Sequence, residues 1–234
     1  MTDFRHEIPM RWADLDSLNH VNNVVYLRYA ADARAEIDGL PSGPISSMEI
    51  QFKRPILLGT ERVVVTSTVE GDQVSQSISV QGSPHEFATI TSRFGGHAPP
   101  VEPQQDVHRA ELRLRHTDID DSGEVSAAQA FELFQETRIP YFTTVMPWMR
   151  PGGFVVAQLE VRYHRPIVWQ TEPLVARAWM SRVGQGSFAA ETQLSSGSEV
   201  CASSSAVLVG FDAATQTSRK FGEDELAALR AQLA

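Results

Sequence analysis

The feature that most constrains this chain is an internal repeat. Asp14, Asp16 and Arg34 are answered by Asp118, Asp120 and Arg138 at an offset of about 104 residues. Phe52-Lys-Arg-Pro-Ile56 returns as Tyr163-His-Arg-Pro-Ile167 at an offset of about 111. A chain of 234 residues that repeats in this way reads as two halves, each long enough to bury its own core.

In the first half Ile8, Met10 and Trp12 alternate with polar residues, the period of a half-buried strand. A turn over Asp14–Asn22 leads into a helix whose apolar residues, Val24, Val25, Leu27, Tyr29, Ala33 and Ile37, fall on one stripe before Gly39 and Pro41 stop it. Strands are expected over Met48–Phe52, Arg62–Glu70, Val74–Val80 and Phe87–Phe94, separated by turn signals such as Glu70-Gly-Asp72.

Residues 95–105 then carry three prolines and two glycines, which defeat both helix and ladder hydrogen bonds, so this stretch reads as a linker. The pattern restarts beyond it. Leu112, Leu114 and His116 alternate, a turn follows at Asp118–Val125, and Ser126-Ala-Ala-Gln129 is a capping box opening a helix through Phe131, Phe134 and Ile139. Strands over Phe154–Tyr163, Leu174–Met180, Phe188–Leu194 and Cys201–Val209 follow, and Glu223–Leu233 is a terminal helix with acidic residues at its start. The expectation is an α+β fold of two units, residues 1–97 and 107–234, joined by a linker over 98–106, each with one helix packed on an antiparallel sheet.

Charge and cysteine usage exclude several classes. The formal net charge is -9 and the only lysines are Lys53 and Lys220, which leaves no basic face for nucleic acid. No run reaches the roughly 18 apolar residues of a membrane span. A lone cysteine, Cys201, and an N-terminus without a signal-peptide pattern point to a cytoplasmic protein. Cys201 lies in a strand-like Ser/Ala run, where a packing role outweighs a nucleophilic one, and no GxSxG elbow is present.

The chemistry concentrates in Asp14–Tyr26. Asp14, Asn19, Asn22 and Asn23 are each explained singly as caps of free helix N–H groups. Together they do more. A helix N-terminus offers unpaired N–H donors and partial positive charge, which polarise a carbonyl, and a carboxylate one turn upstream serves as general base or nucleophile. The second copy, Asp118–Gln129, also has the look of a calcium loop, with oxygen side chains at its first, third, fifth and ninth positions and glycine at the sixth. It ends in Gln129 where a bidentate glutamate belongs, and a strand precedes it in place of a helix. No metal or cofactor is expected.

On Asp14-Leu-Asp16, His20-Val-Asn-Asn23, Tyr26 and Arg54-Pro-Ile56 the sequence resembles the hot-dog acyl-CoA thioesterases of the 4-hydroxybenzoyl-CoA thioesterase type. The first half carries these motifs, and the second follows in layout and part of the motif. The resemblance implies two tandem hot-dog units, each a helix wrapped by an antiparallel sheet, forming an intrachain pseudo-dimer. It implies hydrolysis of an acyl-CoA or acyl-pantetheine thioester, with Asp16 as catalytic carboxylate and the backbone N–H near Asn23 as oxyanion donor. The matching positions in the second half are Asp120 and Ala127, while His20 becomes Glu124. His20 either orients water or substrate or makes a hydrogen bond within the turn. Asn22 and Tyr26 would line the substrate site, and Arg54, Arg162 and Arg165 are candidate phosphate contacts. The chain also resembles acyl-carrier-protein thioesterases around His20–Asn23, with Leu18 where they carry asparagine.

Two other readings share the layout, a non-catalytic acyl-thioester-binding protein and an acyl-thioester hydratase or dehydratase. Asp16 and His20 stand four apart, without the signatures that the second of these uses. Further association into a homo-oligomer of such double units is also expected of the fold family.

Overall fold

A computed structural model describes residues 3–16, 19–148, 152–212 and 214–233. The chain separates into two compact units, Met1–His97 and Ala98–Ala234.

In the first unit, β1 (Asp3–Pro9) precedes α1 (Asn23–Ala35), and β2 (Ile45–Phe52), β3 (Arg62–Glu70), β4 (Gln73–Val80) and β5 (Glu86–Phe94) follow. All pairings are antiparallel, in the order β1-β3-β4-β5-β2. The β3–β4 hairpin turns in two residues because Gly71 takes φ 61°, a left-handed position that costs glycine nothing. Along β4, Val74, Gln76 and Ile78 are buried, the period of two that sets one face against the helix. Val24, Val25, Tyr26 and Leu27 are buried in succession, which sweeps most of the helix circumference, so this first turn is enclosed and not laid on a surface.

The second unit repeats the order. It contains β6 (His108–Leu112), α2 (Ala127–Val145), β7 (Phe154–Tyr163), β8 (Leu174–Val183), β9 (Ser187–Ser196), β10 (Glu199–Asp212), β11 (Thr217–Ser218) and α3 (Glu223–Arg230). Its sheet runs β6-β8-β9-β10-β7, with β11 paired to β10. Thus β6, β7, β8, β9 and β10 stand where β1, β2, β3, β4 and β5 stand in the first unit. Phe142, Phe154 and Phe188 meet edge to face in its core. Phe221, Leu226 and Leu229 bring α3 onto this core, and Gly210 is required beneath them: a Cβ there would lie 2.6 Å from the Arg219 carbonyl.

Several boundaries differ from expectation for local reasons. Trp12 and His116 leave their strands and enter short 3-10 turns, Trp12–Asp14 and His116–Asp118, so Trp12 is 82% exposed. In each turn the aspartate carboxylate captures the backbone N–H three residues back, which competes with the ladder. The box at the start of α2 is half formed: Ser126 caps Gln129 N–H at 3.1 Å, but the Gln129 side chain donates to Asp118 Oδ1 instead of returning. The helix includes Phe131, Phe134 and Ile139 and runs on through Pro140 to Val145.

The proline-rich stretch is strapped down. Ala98 N–H donates to the Tyr163 carbonyl at 2.7 Å, and His164 joins the Pro99 carbonyl to Ser203 Oγ. The Gln193 amide holds both the Glu102 carbonyl and the Gln104 N–H.

Candidate active site

Asp14 organises the entry to α1. Its Oδ2 accepts the Arg11 N–H and the Tyr29 hydroxyl, each at 2.7 Å. Burial and this carboxylate together push the Tyr29 hydroxyl far above the ordinary range, so it stays a donor. Asp14 is therefore committed to structure.

Asp16 lies in a tight loop. Its N–H donates to the His20 carbonyl at 2.7 Å, its carboxylate Oδ1 accepts the His20 N–H at 3.1 Å, and Asn19 adopts φ 59° between them. Leu15 and Val21 pair across the base of this loop, while Ser17 and Leu18 lie outside the described residues. The half-buried carboxylate is thus fixed by its own backbone. Next to it the chain turns into α1. Asn22 N–H binds the Asp14 carbonyl at 2.9 Å, and the Asn22 side chain accepts the Val24 N–H at 3.0 Å. Val25 N–H goes to the Asn22 carbonyl. Among the N–H groups of this first turn, Asn23's is the one these bonds leave untaken.

Tyr26 closes the site from behind. It is 2% exposed, and its hydroxyl oxygen accepts the Ile56 N–H at 3.0 Å, which ties α1 to the loop after β2. Burial raises its pKa to about 12, and the negative charge of Asp16 adds to the rise. The Asp16 charge therefore acts on the first turn of the helix. The same loop pairs Leu57 with His20, so the imidazole's backbone is clamped and its side chain is half-buried.

The second copy has the same skeleton with different occupants. Asp120 N–H binds the Glu124 carbonyl at 2.8 Å, Gly123 takes the left-handed position at φ 84°, and Ile119 pairs with Val125. Asp118 is buried and accepts the Arg115 N–H and the Gln129 side chain. The Asp120 carboxylate is exposed and bends into its own turn, accepting both the N–H and the hydroxyl of Ser122. At the start of α2 the Ser126 cap takes the Gln129 N–H and leaves that of Ala127; the Ala127 carbonyl accepts the Tyr163 hydroxyl at 3.1 Å.

The remaining candidates are spread out. Arg54 is exposed and its carbonyl lies 3.5 Å from the Tyr26 hydroxyl. Arg162 pairs with Glu160 at 2.8 Å on the outer face of β7 and lines a cleft of about 400 Å³ with Trp179, Glu191 and Ser205. Arg165 is ion-paired to Glu199. Cys201 is buried, and burial raises its thiol pKa, which suits packing and opposes nucleophilic use. Among the described residues no group of His, Cys, Asp and Glu is arranged to hold a metal ion.

Sequence reasoning missed the partners of these groups. The Tyr29–Asp14 bond spans fifteen residues and had no local signal, whereas Ser122, two residues after Asp120, is the spacing of an Asx turn.

Residues 1–96 match the family described as acyl-ACP thioesterase C-terminal domain, and residues 114–231, just over half of the chain, match the thioesterase-like superfamily. No curated protein matches the sequence. Among solved structures, a provisionally assigned oleoyl thioesterase from Lactobacillus plantarum superposes with a TM-score of 0.71 at 12% identity, over 90% of this chain and 97% of its own. The 12:0-ACP thioesterase from Umbellularia californica gives 0.68 at 12% identity, over 89% and 94%. A protein from Alicyclobacillus acidocaldarius, described as having a hot-dog fold, gives 0.57 at 12% identity, over 90% and 93%. These likenesses establish the fold.

Proposed function

Because the chain belongs to the thioesterase-like superfamily and is a thioester hydrolase, we propose that it cleaves an acyl-CoA or acyl-carrier thioester with Asp16 as general base or nucleophile. The acyl carbonyl sits at the start of α1, polarised by the Asn23 N–H and the partial positive charge of the helix terminus. Asp16 either takes a proton from a water whose oxygen displaces the thiolate and then passes that proton on, or attacks the carbonyl itself and expels the thiolate. The second route leaves a mixed anhydride that water hydrolyses to free acid and the restored carboxylate, with the proton released going to the thiolate. The two units are two hot-dog modules in tandem, and Asp120 with the Ala127 N–H is the counterpart site.

The observation that carries this reading is the Asp16 carboxylate held by the His20 N–H in the loop that opens α1, beside a first turn whose cap leaves one N–H untaken. The imidazole of His20 is a positioning group for water or thioester, and Asn22 and Tyr26 shape the wall. Arg54, Arg162 and Arg165 are proposed contacts for the phosphates of the carrier.

The second site is the weaker catalyst, because Ser122 occupies the Asp120 carboxylate and Glu124 replaces the histidine. A binding role without turnover is favoured there by that same observation. Release of free thiol from a panel of acyl-CoAs by wild type and Asp16→Asn tests the assignment. Equal rates for the two proteins would refute it.

A further inference from the structure

Arg34 and Arg138 hold matching places on α1 and α2, and both are buried. Their surroundings differ. Arg34 Nη1 donates to Gln76 Oε1 at 2.7 Å, and Gln76 Nε2 donates onward to the Ala30 carbonyl and Ser67 Oγ. Arg138 Nη1 has no hydrogen-bond partner, and burial alone lowers the guanidinium pKa to about 10, with no carboxylate contributing. It still carries its charge at neutral pH.

The register identifies what is missing. Ser67, Gln76, Ile90 and Ile50 form one row across the first sheet. The matching row in the second sheet is Ala178, Thr192, Ser204 and Val161. Thr192 therefore stands where Gln76 supplies the acceptor, and its side chain is too short to reach. Both Thr192 Oγ1 and Ser204 Oγ are buried without a partner, on the side of the sheet that faces α2. A cation and two hydroxyls, none of them hydrogen-bonded, thus share one buried place without an anion to match the charge. A carboxylate is the group that satisfies them, since it accepts only and cancels the charge; a water would leave the charge uncompensated.

We propose that Arg138, Thr192 and Ser204 bind the carboxylate at the far end of an acyl group whose thioester lies at the start of α2. The Cα of Arg138 is about 16 Å along the helix from that of Ala127, and an arginine side chain leaning toward the helix N-terminus takes up roughly 6 Å of this, which leaves the span of a chain of about eight carbons. This rests on the thioesterase reading above and narrows its substrates, in the second unit, to acyl groups that end in a carboxylate.

The test uses the whole chain carrying Asp16→Asn, so that turnover reports the second unit, and compares kcat/KM for octanedioyl-CoA and octanoyl-CoA. This parent is expected to favour the dicarboxylic substrate. Thr192→Gln gives Arg138 the internal acceptor that Arg34 has, and Arg138→Met removes the donor; each should lower the ratio at least about tenfold. Thr192→Gln keeps the buried arginine in place and guards against a variant that simply fails to fold. A ratio that neither variant changes would overturn the proposal, as would the Asp16→Asn parent showing no preference. The second readout needs no turnover: octanedioate should raise the melting temperature of wild type more than octanoate does, and Thr192→Gln should abolish the difference. If wild type hydrolyses neither thioester while this difference holds, the catalytic reading fails and the carboxylate site stands. Equal shifts from the two acids mean that water fills the place, and the site falls.

Discussion

Replacing Gln76 by leucine should destabilise the first unit by about 3 kcal/mol. The side chain makes three hydrogen bonds inside the core: it accepts from Arg34 at 2.7 Å and donates to the Ala30 carbonyl at 2.9 Å and Ser67 Oγ at 3.0 Å. A bond to a buried charge is worth about 1.5–3 kcal/mol and each neutral one about 1 kcal/mol, giving a gross loss near 4 kcal/mol. Arg34 makes further contacts, and the Ala30 carbonyl retains its helical partner, so the net figure lies toward the lower end. That is a large share of the 5–15 kcal/mol typical of a folded domain. Urea unfolding followed by circular dichroism reads it as a fall in the midpoint at constant slope. Gln76→Glu is the control: it keeps an acceptor for Arg34 while losing both donated bonds, and should cost less than leucine. A loss below about 1 kcal/mol for leucine would show that the Arg34–Gln76 network does not hold this core.

Asp16→Asn should reduce thioester hydrolysis by about 10²–10⁴ in kcat, the usual range for a lost general base, while Asp120→Asn costs less because that carboxylate is already engaged by Ser122. The reverse order in a thiol-release assay would contradict the ranking of the two sites. Tyr26→Phe leaves the buried Ile56 N–H without its acceptor and should cost about 1–3 kcal/mol, seen as a lower melting temperature; an unchanged value would remove the tie between α1 and the loop after β2. Glu225 forms a two-pronged pair with Arg219 at 2.7 and 2.8 Å, and this bond holds its carboxyl below the ordinary range. A carboxylate with a lowered folded pKa stabilises above its unfolded pKa and loses that contribution as pH falls through the folded value. Acid should therefore loosen α3, and Arg219→Met should remove this part of the pH dependence in hydrogen exchange of residues 223–230.

Much of the layout was legible before folding was considered. The Arg62–Glu70 and Phe154–Tyr163 strands coincide with β3 and β7 because β-branched and aromatic content bounded by turn residues is a property of the local stretch. The two helix starts were legible for the same reason: Asn22 and Ser126 cap donors two and three residues away. Trp12 and His116 broke the pattern because an aspartate carboxylate outbid the ladder for a backbone N–H.

Within the site, the aspartate pair, the helix terminus and their repetition are matters of spacing, and the sequence by itself determined them. It also determined that the two copies differ, since His20 and Glu124 are written in it. What only the tertiary structure decided is which partner each group takes. Asp14 bonds to Tyr29, Asp120 to Ser122, and Arg34 to Gln76 from another strand, while Arg138 Nη1 in the matching place has no hydrogen-bond partner. Such outcomes depend on registers between strands and on burial. A hydrogen bond joining residues 34 and 76 leaves no mark in either local stretch, yet it separates a satisfied arginine from one that needs an anion.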